Sequence, residues 1–368
     1  MADARKRRKT AAARSAAARD DRHGAGMTHV ESLHRLGILR RGSARVGFRY
    51  VYASSGRAAR GELARIRALR LPPAWREVAI SRSPRARVQA VGRDAAGRWQ
   101  YVYHPAHVRA RERHKHRRLL HFGVALPHLR RAVSRDLRRR ELDRDRVLAS
   151  VVRILSRAFI RPGSEAYAAE NGSYGIATLR RKHLRVGGTT LYFDFPGKSG
   201  KRHQRVLQDP AVARVVRRLL NMPGYEIFKY VDDAERIVDI KRRDINDYIK
   251  RHMGERFSAK DFRTWAGTVL CACALARAAA EDSLADARTC RRLVAAALRE
   301  TAQQLGNTPA VCRTSYVTPC VLSAFERGQV IEGRLATAQE LMAHNLRGLH
   351  HAERAVLRLL KRESRRTA

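Results

Sequence analysis

Acid is what this chain is short of. Against 77 lysines and arginines stand 34 aspartates and glutamates, a formal charge of +43 over 368 residues. So large an imbalance says little about fold. It does select a polyanionic partner. Nucleic acid comes first, because every phosphate neutralised releases counterions and adds affinity. An anionic membrane surface comes second. No uncharged apolar run approaches the roughly 18 residues that a spanning helix needs. The longest, Thr264–Ala276 (TWAGTVLCACALA), reads as a buried helix. The amino terminus is basic but has no apolar segment of the secretory kind. Cysteine is scarce too. Cys271, Cys273, Cys290, Cys312 and Cys320 form no CxxC pair and read as free thiols of a reducing compartment, with metal binding as the alternative. Cys271 and Cys273 sit in the apolar run, where a thiol behaves as a small hydrophobe. No carboxylate cluster suggests a metal site.

What is present begins with an arm. Residues 1–27 are rich in alanine and arginine. They read as a disordered basic segment that either touches phosphate non-specifically or keeps the chain soluble. From Leu33 the pattern becomes globular. Phe48–Ala53 alternates as a strand does, and Val78–Ser81, Val88–Val91 and Trp99–Tyr103 are three further short strands. A short helix over Glu62–Leu69 stops at Leu71-Pro72-Pro73. Together these predict a small antiparallel sheet. In the strand RWQYVY, Gln100 and Val102 face one way while Tyr101 and Tyr103 face the other. These side chains either pack on a half-buried sheet or lie in a DNA groove. There Gln could read an adenine edge and Tyr could touch phosphate or a thymine methyl.

From Val108 the signal turns helical. Arg109–Arg118 is densely basic, and leucines then recur at helical spacing. Val147–Phe159 is an apolar helix that ends at Ile160-Arg161-Pro162-Gly163. Leu191–Phe195 and Gln204–Leu207 flank a hairpin whose tip carries Lys198 between Gly197 and Gly200. Its GKSG lacks the spacing of a nucleotide-binding phosphate loop. Pro210–Leu220 follows the N-cap Asp209. Further helices are predicted within Ile240–Met253 and over Ser258–Ala280, Ala285–Leu305, Ala336–Leu346 and His351–Arg362. The last is charged enough to be a surface or DNA-facing appendage. Leu305–Pro319 (LGNTPAVCRTSYVTP) breaks the helix before it at Gly306, Asn307 and Pro309 and presents Tyr316. The fold class this predicts is α+β: a small β-rich N-terminal domain and a larger, mainly α domain with a small β-hairpin or sheet. Four segments result: an arm (1–27), a β-rich domain (28–110), an α-helical domain (111–346) and a basic tail (347–368).

In a chain with 77 basic residues, spacing alone does not single out any arginine. A set of ordered motifs does. LPPAW (Leu71–Trp75), QAVGRDAAGRWQYVYHP (Gln89–Pro105), IRPGSEAYAAENGSYGIATL (Ile160–Leu179), FPGKSGK, KDFRTWAG (Lys260–Gly267) and LGNTPAVCRTSY (Leu305–Tyr316) follow one another over roughly residues 30 to 330. In these the chain resembles the poxvirus-like and bacterial type IB DNA topoisomerases. The resemblance implies a tyrosine recombinase/topoisomerase IB-like fold. It places Tyr316 on the family's nucleophile, Arg161 and Arg263 on its two catalytic arginines, and Lys198 on its hairpin lysine. Gln100, Tyr101 and Tyr103 fall on strand positions that contact DNA in the viral enzymes, and Tyr167 on a position near the first arginine. Asn307 stands where viral members have His. Pro162 stands where a larger apolar residue is usual. An amide donates a hydrogen bond but transfers no proton at neutral pH, so the implied role of Asn307 is donation to a phosphate oxygen.

The residue types suit the chemistry. Tyrosine forms a phosphotyrosyl ester that stores the bond energy, so rejoining needs no ATP. Two arginines can clamp the non-bridging oxygens, a task often given to a metal, and a lysine can protonate the leaving oxygen. The resemblance thus implies no cofactor, no required metal, duplex DNA as partner and a cytoplasmic, nucleoid-associated monomer. It would close as a C-shaped clamp with Arg109–Arg118 near the hinge. A tyrosine recombinase shares the Arg, Lys, Arg and Tyr logic but generally has HxxR where this chain has Lys260-Asp261-Phe262-Arg263. A non-enzymatic DNA-packaging protein would explain the charge and leave the motifs unexplained.

Overall fold

The structure is a computed structural model that describes residues 28–281, 286–332, 337–344 and 347–366. The expected basic arm, 1–27, lies outside the described residues, as do Ala336, Asn345 and Leu346 of the expected helix Ala336–Leu346 and Ala285 of the expected helix Ala285–Leu305. Contacts divide the chain into two units, with the division between Arg111 and Glu112.

The first unit is built on a five-stranded antiparallel sheet. Helix α1 (His29–Leu36) opens it, started by a capping box between Thr28 and Glu31. Strands β1 (Ile38–Ser43) and β2 (Gly47–Tyr52), helix α2 (Leu63–Ala68), and strands β3 (Arg76–Ile80), β4 (Val88–Arg93) and β5 (Trp99–Tyr103) follow. The spatial order is β2-β1-β3-β4-β5. Strand β1 has no alternating pattern of its own, since Arg40, Arg41 and Gly42 fill its middle. Its place is set by β2 and β3, which pair with it on either side. One sheet face buries Ile38, Val78, Ile80 and Ala90 with Ile66 of α2. The other buries Ala79, Val88 and Val91, with Val30 and Leu33 of α1 and Tyr101 and Tyr103 of β5 packed against them.

Helix α3 (Pro105–Asp136) runs 32 residues. Its start is three residues earlier than the sequence suggests, at a proline whose missing N–H costs nothing in a first turn. In the second unit come α4 (Arg144–Ala158), α5 (Glu165–Asn171), strands β6 (Leu184–Gly187), β7 (Thr190–Pro196) and β8 (Arg202–Gln208), and α6 (Pro210–Leu220). The strands form a sheet ordered β6-β7-β8. Asp209 caps α6 as expected, accepting from the amides of Ala211 and Val212. It is also buried against Arg157 at 2.5 Å. A two-stranded ribbon, β9 (Lys229–Val231) and β10 (Ile237–Asp239), leads to α7 (Arg242–Met253).

Helix α8 (Ala259–Glu281) carries the apolar run, buried from Thr264 to Ala276. Around it pack α9 (Ala287–Leu305), α10 (Pro319–Glu326), α11 (Ala338–Ala343) and α12 (His351–Arg366). The last corrects the sequence reading. Helix α12 is not an appendage: Ala352, Ala355, Val356, Leu359 and Leu360 join the main core. Its two glutamates also point inward. Buried Glu353 takes Arg130 at 2.7 Å and the Trp265 indole at 2.9 Å. A charge count hides this, because the charges divide by helical phase and the exposed positions hold Arg354, Arg358, Lys361, Arg362, Arg365 and Arg366.

Candidate active site

The site grows from three chain breaks. The first is the end of α4. Its last residue is followed by Phe159 in the left-handed region, φ 56°, a conformation that a bulky side chain adopts only under constraint. The turn aims the Phe159 carbonyl at Arg263, which donates to it from Nη1. Two residues on is Arg161. Its segment is pinned through its own carbonyls: Ile176 N donates to Arg161 O at 2.8 Å and Ala177 N to Pro162 O at 3.0 Å. Gly163 and Gly175 cross back to back, so a Cβ on Gly175 would sit 2.5 Å from the Gly163 Cα. Pro162 needs no N–H in this arrangement, and the backbone on both sides of it is held.

The second break is at the end of α9. Gly306 caps it at φ 60°, a conformation glycine takes at no steric cost. Asn307 follows, and its N–H returns to Ala302 O at 2.9 Å. Arg161 Nη2 donates to Asn307 Oδ1. That contact fixes the amide, because the flipped form would set NH₂ against a guanidinium. Asn307 Nδ2 is left buried with no partner among the described residues.

The third break is the turn Cys312–Tyr316, a π-helical turn closed by Val317 N donating to Cys312 O at 2.8 Å. Single π turns recur at functional sites. Helix α8 holds this one closely. Thr268 Oγ1 donates to Tyr316 O at 3.2 Å. A Cβ on Gly267 would lie 3.1 Å from the Tyr316 Cβ.

Arg263, 2% exposed, joins the three. It donates to Leu305 O at 2.7 Å and to Phe159 O, and its guanidinium lies 5.0 Å from the centre of the Tyr316 ring. Burial, with the neighbouring Arg161 charge, pushes its pKa down to about 10, so it stays cationic at neutral pH. For the half-buried Tyr316 phenol, burial opposes ionisation. Arg263 and then Arg161 outweigh it and hold the phenol below its ordinary range. The cluster can therefore stabilise a phenolate and has cations to spare for an anionic group beside it.

Two family descriptions match the chain. "Eukaryotic DNA topoisomerase I, catalytic core" covers residues 106–327 and "Bacterial DNA topoisomerase IB, N-terminal domain" covers residues 47–94. The chain is 32% identical over 304 residues to the DNA topoisomerase 1B of Acanthamoeba polyphaga mimivirus, spanning 82% of this chain and 90% of that one. It is 25% identical over 237 residues to the DNA topoisomerase 1B of Vaccinia virus (strain Copenhagen), 63% of this chain and 70% of the relative. The chain belongs to the type IB DNA topoisomerases.

Among topoisomerase residues expected from the sequence, Tyr316, Arg161, Arg263 and Asn307 are thus brought together. Lys198 is not. It is exposed at the hairpin tip. It has no polar partner among the described residues. The hairpin lysine that reaches the cluster is Lys201, which donates to Asn307 O at 3.3 Å. Tyr167 stands on α5, 49% exposed. Gln100, Tyr101 and Tyr103 belong to the first unit. The Gln100 amide donates one N–H to Asp94 at 2.9 Å. Tyr101 and Tyr103 stack at 6.1 Å on one sheet face, as their spacing implied.

His203 was missed by sequence reasoning. It stacks on Phe195 at 5.4 Å and lies 3.5 Å from Arg161 Nη1. Gly197 and Gly306 flank the ring so closely that a Cβ on either would run into it. Burial, followed by the charge of Arg161, pushes His203 down to about 4. A neutral ring can accept from Arg161 where a charged one would repel it. The one sequence signal is phase: in RHQ the histidine takes the inward position of β8.

Proposed function

We propose that this topoisomerase relaxes supercoiled duplex DNA by cutting and rejoining one strand, with Tyr316 as the nucleophile. The reading rests above all on one observation: the Tyr316 ring lies 5.0 Å from the Arg263 guanidinium, with Arg161 and Asn307 beside it. Tyr316 Oη attacks the phosphorus of one strand. A bond forms to the 3′-phosphate, the bond to the 5′-oxygen breaks, and that oxygen takes up a proton. The phenol loses its own proton, which the two arginines make easier. As charge builds on the non-bridging oxygens, Arg161 and Arg263 hold it with donors already in place. Lys198, solvent-exposed on the hairpin, supplies the proton to the leaving oxygen. The 5′ end turns about the intact strand and then attacks the phosphotyrosyl ester. The ester keeps the energy of the broken bond, so no ATP enters.

Plasmid relaxation tests this. Supercoiled DNA is expected to relax in EDTA without ATP; a strict ATP requirement, or no relaxation at all, would contradict it.

Asn307 acts as a donor. Its oxygen is taken by Arg161, and its buried nitrogen is the donor left for a phosphate oxygen. Asn307→His can reproduce both contacts, since a neutral imidazole has one accepting and one donating nitrogen. Asn307→Leu reproduces neither. We expect the histidine variant to keep much of the cleavage rate. The leucine variant should lose on the order of 10² to 10³, the usual cost of one such donor. Equal loss in both would argue against the donor role.

In this reading Gln100, Tyr101, Tyr103 and Tyr167 contact DNA. The chain works as a monomer that closes on duplex as a C-shaped clamp, resident on the cytoplasmic nucleoid. Sedimentation with a short duplex should give a complex of one chain per DNA; two chains per duplex would refute the monomer.

A further inference from the structure

The nucleophile's turn needs an anchor outside itself. A π turn, like any helical end, leaves its last carbonyls without N–H partners, and those carbonyls carry partial negative charge. Here Thr268 of α8 takes the carbonyl of Tyr316 itself. The carbonyls on either side go to one side chain. Lys115 of α3 donates from Nζ to Thr314 O at 3.3 Å and to Val317 O at 3.1 Å. The two residues between these acceptors are Ser315 and Tyr316. Nothing in the sequence marks Lys115, which lies about 200 positions away, among the cations of Arg109–Arg118.

We infer that Lys115 is a positioning residue for the reaction: its ammonium clamps the backbone on both sides of Tyr316 and so sets where the phenol oxygen points. The inference rests on Tyr316 being the nucleophile. Its force is leverage. The phenol oxygen stands at the end of a long rigid side chain, so a small rotation of residues 314 to 317 displaces it by about an ångström, enough to cost on the order of 10² in rate.

The clamp is also set to respond to pH. Lys115 is half-buried. Burial, followed by the repulsion of Lys260 on α8, pushes its pKa down to about 8, with Glu112 on its own helix pulling the other way. The clamped turn contributes Cys312, Arg313 and Tyr316 as its charged and titratable groups, and α8 adds Asp261, itself paired with Arg118 at 2.7 Å. Below about 8 the ammonium is charged and the clamp holds. Above it, the neutral amine still has N–H groups but no charge, and the hold on two carbonyl dipoles weakens.

The test is single-turnover formation of the covalent complex at saturating duplex, from pH 6 to about 10, a range that brackets the ordinary lysine value. Lys115→Met should cleave about 10²-fold more slowly, with unchanged duplex affinity, unchanged salt dependence and an unchanged circular-dichroism spectrum. Lys115→Arg, charged throughout this range, should restore the rate and remove the loss of rate above pH 8. An alkaline change that comes from Tyr316 would persist in the arginine variant, and its persistence there as the whole effect would overturn the pH claim. Cleavage by Lys115→Met at the parent rate would overturn the inference alone. A salt slope lower by about 1 in that variant would assign Lys115 to a phosphate instead and overturn it too. Absence of any covalent complex with the parent chain would overturn the Tyr316 reading, and this inference with it.

Discussion

Tyr316→Phe is expected to abolish relaxation and covalent complex formation while leaving duplex binding intact. The variant is close to a single-atom change. Phenylalanine keeps the ring that faces Arg263 at 5.0 Å and the Cβ that packs over Gly267. The backbone contacts of the turn, to Thr268 and Lys115, do not involve the side chain. Only the oxygen goes. The thiol of the same turn is a poor substitute. Cys312 is fully buried, and burial raises its pKa. The loss should therefore exceed about 10⁴, as for other covalent nucleophiles. Relaxation within about tenfold of the parent would mean that another residue attacks. Gel relaxation with parallel filter binding separates the two results.

Arg263→Ala carries the second largest effect, and it should appear in both activity and stability. For activity, the phosphate loses one preorganised donor, a loss of about 10² to 10³ in rate. The Tyr316 phenol also loses the stronger of its two cationic influences and moves back toward its ordinary range. For stability, Leu305 O and Phe159 O each lose a buried donor, at about 1 to 3 kcal/mol apiece. The ends of α9 and α4 are thereby released from one another. Arg263→Lys separates the two contributions. It keeps the charge but cannot span two carbonyls and present a flat donor edge to phosphate. It should melt between the parent and the alanine variant while cleaving about 10²-fold more slowly than the parent. Thermal melting and single-turnover cleavage measure both. An alanine variant that melts with the parent would refute the bridging role of Arg263.

These effects show where the sequence was legible and where it was not. Local chemistry was readable. The apolar run announced α8, Asp209 announced the start of α6, and Gly306 announced the end of α9. Strands β3 to β5 announced themselves by alternation and turns. Strand β1 did not, because its register belongs to its neighbours. Helix α12 was misread because composition carries no phase: Glu353 and Glu363 count as surface charge until the helix is wound and both turn inward. The site is assembled from long-range contacts. Arg263 meets Phe159 across 104 positions and Arg161 meets Asn307 across 146. No periodicity encodes such distances, so only the ordered motifs of a family could point to them. For the same reason His203 and Lys115 went unnoticed. Each is one cation-forming residue among many until folding gives it a partner. Lys198 is the reverse case, selected by motif yet held by nothing among the described residues, as a group that works only with DNA present would be.

The most direct test of the account is to find the attached residue. The chain is mixed with a duplex whose cut strand loses a short leaving fragment, so that rejoining fails and the covalent complex accumulates. After denaturation and proteolysis, mass spectrometry identifies the peptide that carries nucleotide. The expected result is one modified peptide, with the DNA joined through its 3′-phosphate to Tyr316. Attachment at another residue, or through a 5′-phosphate, would contradict the account.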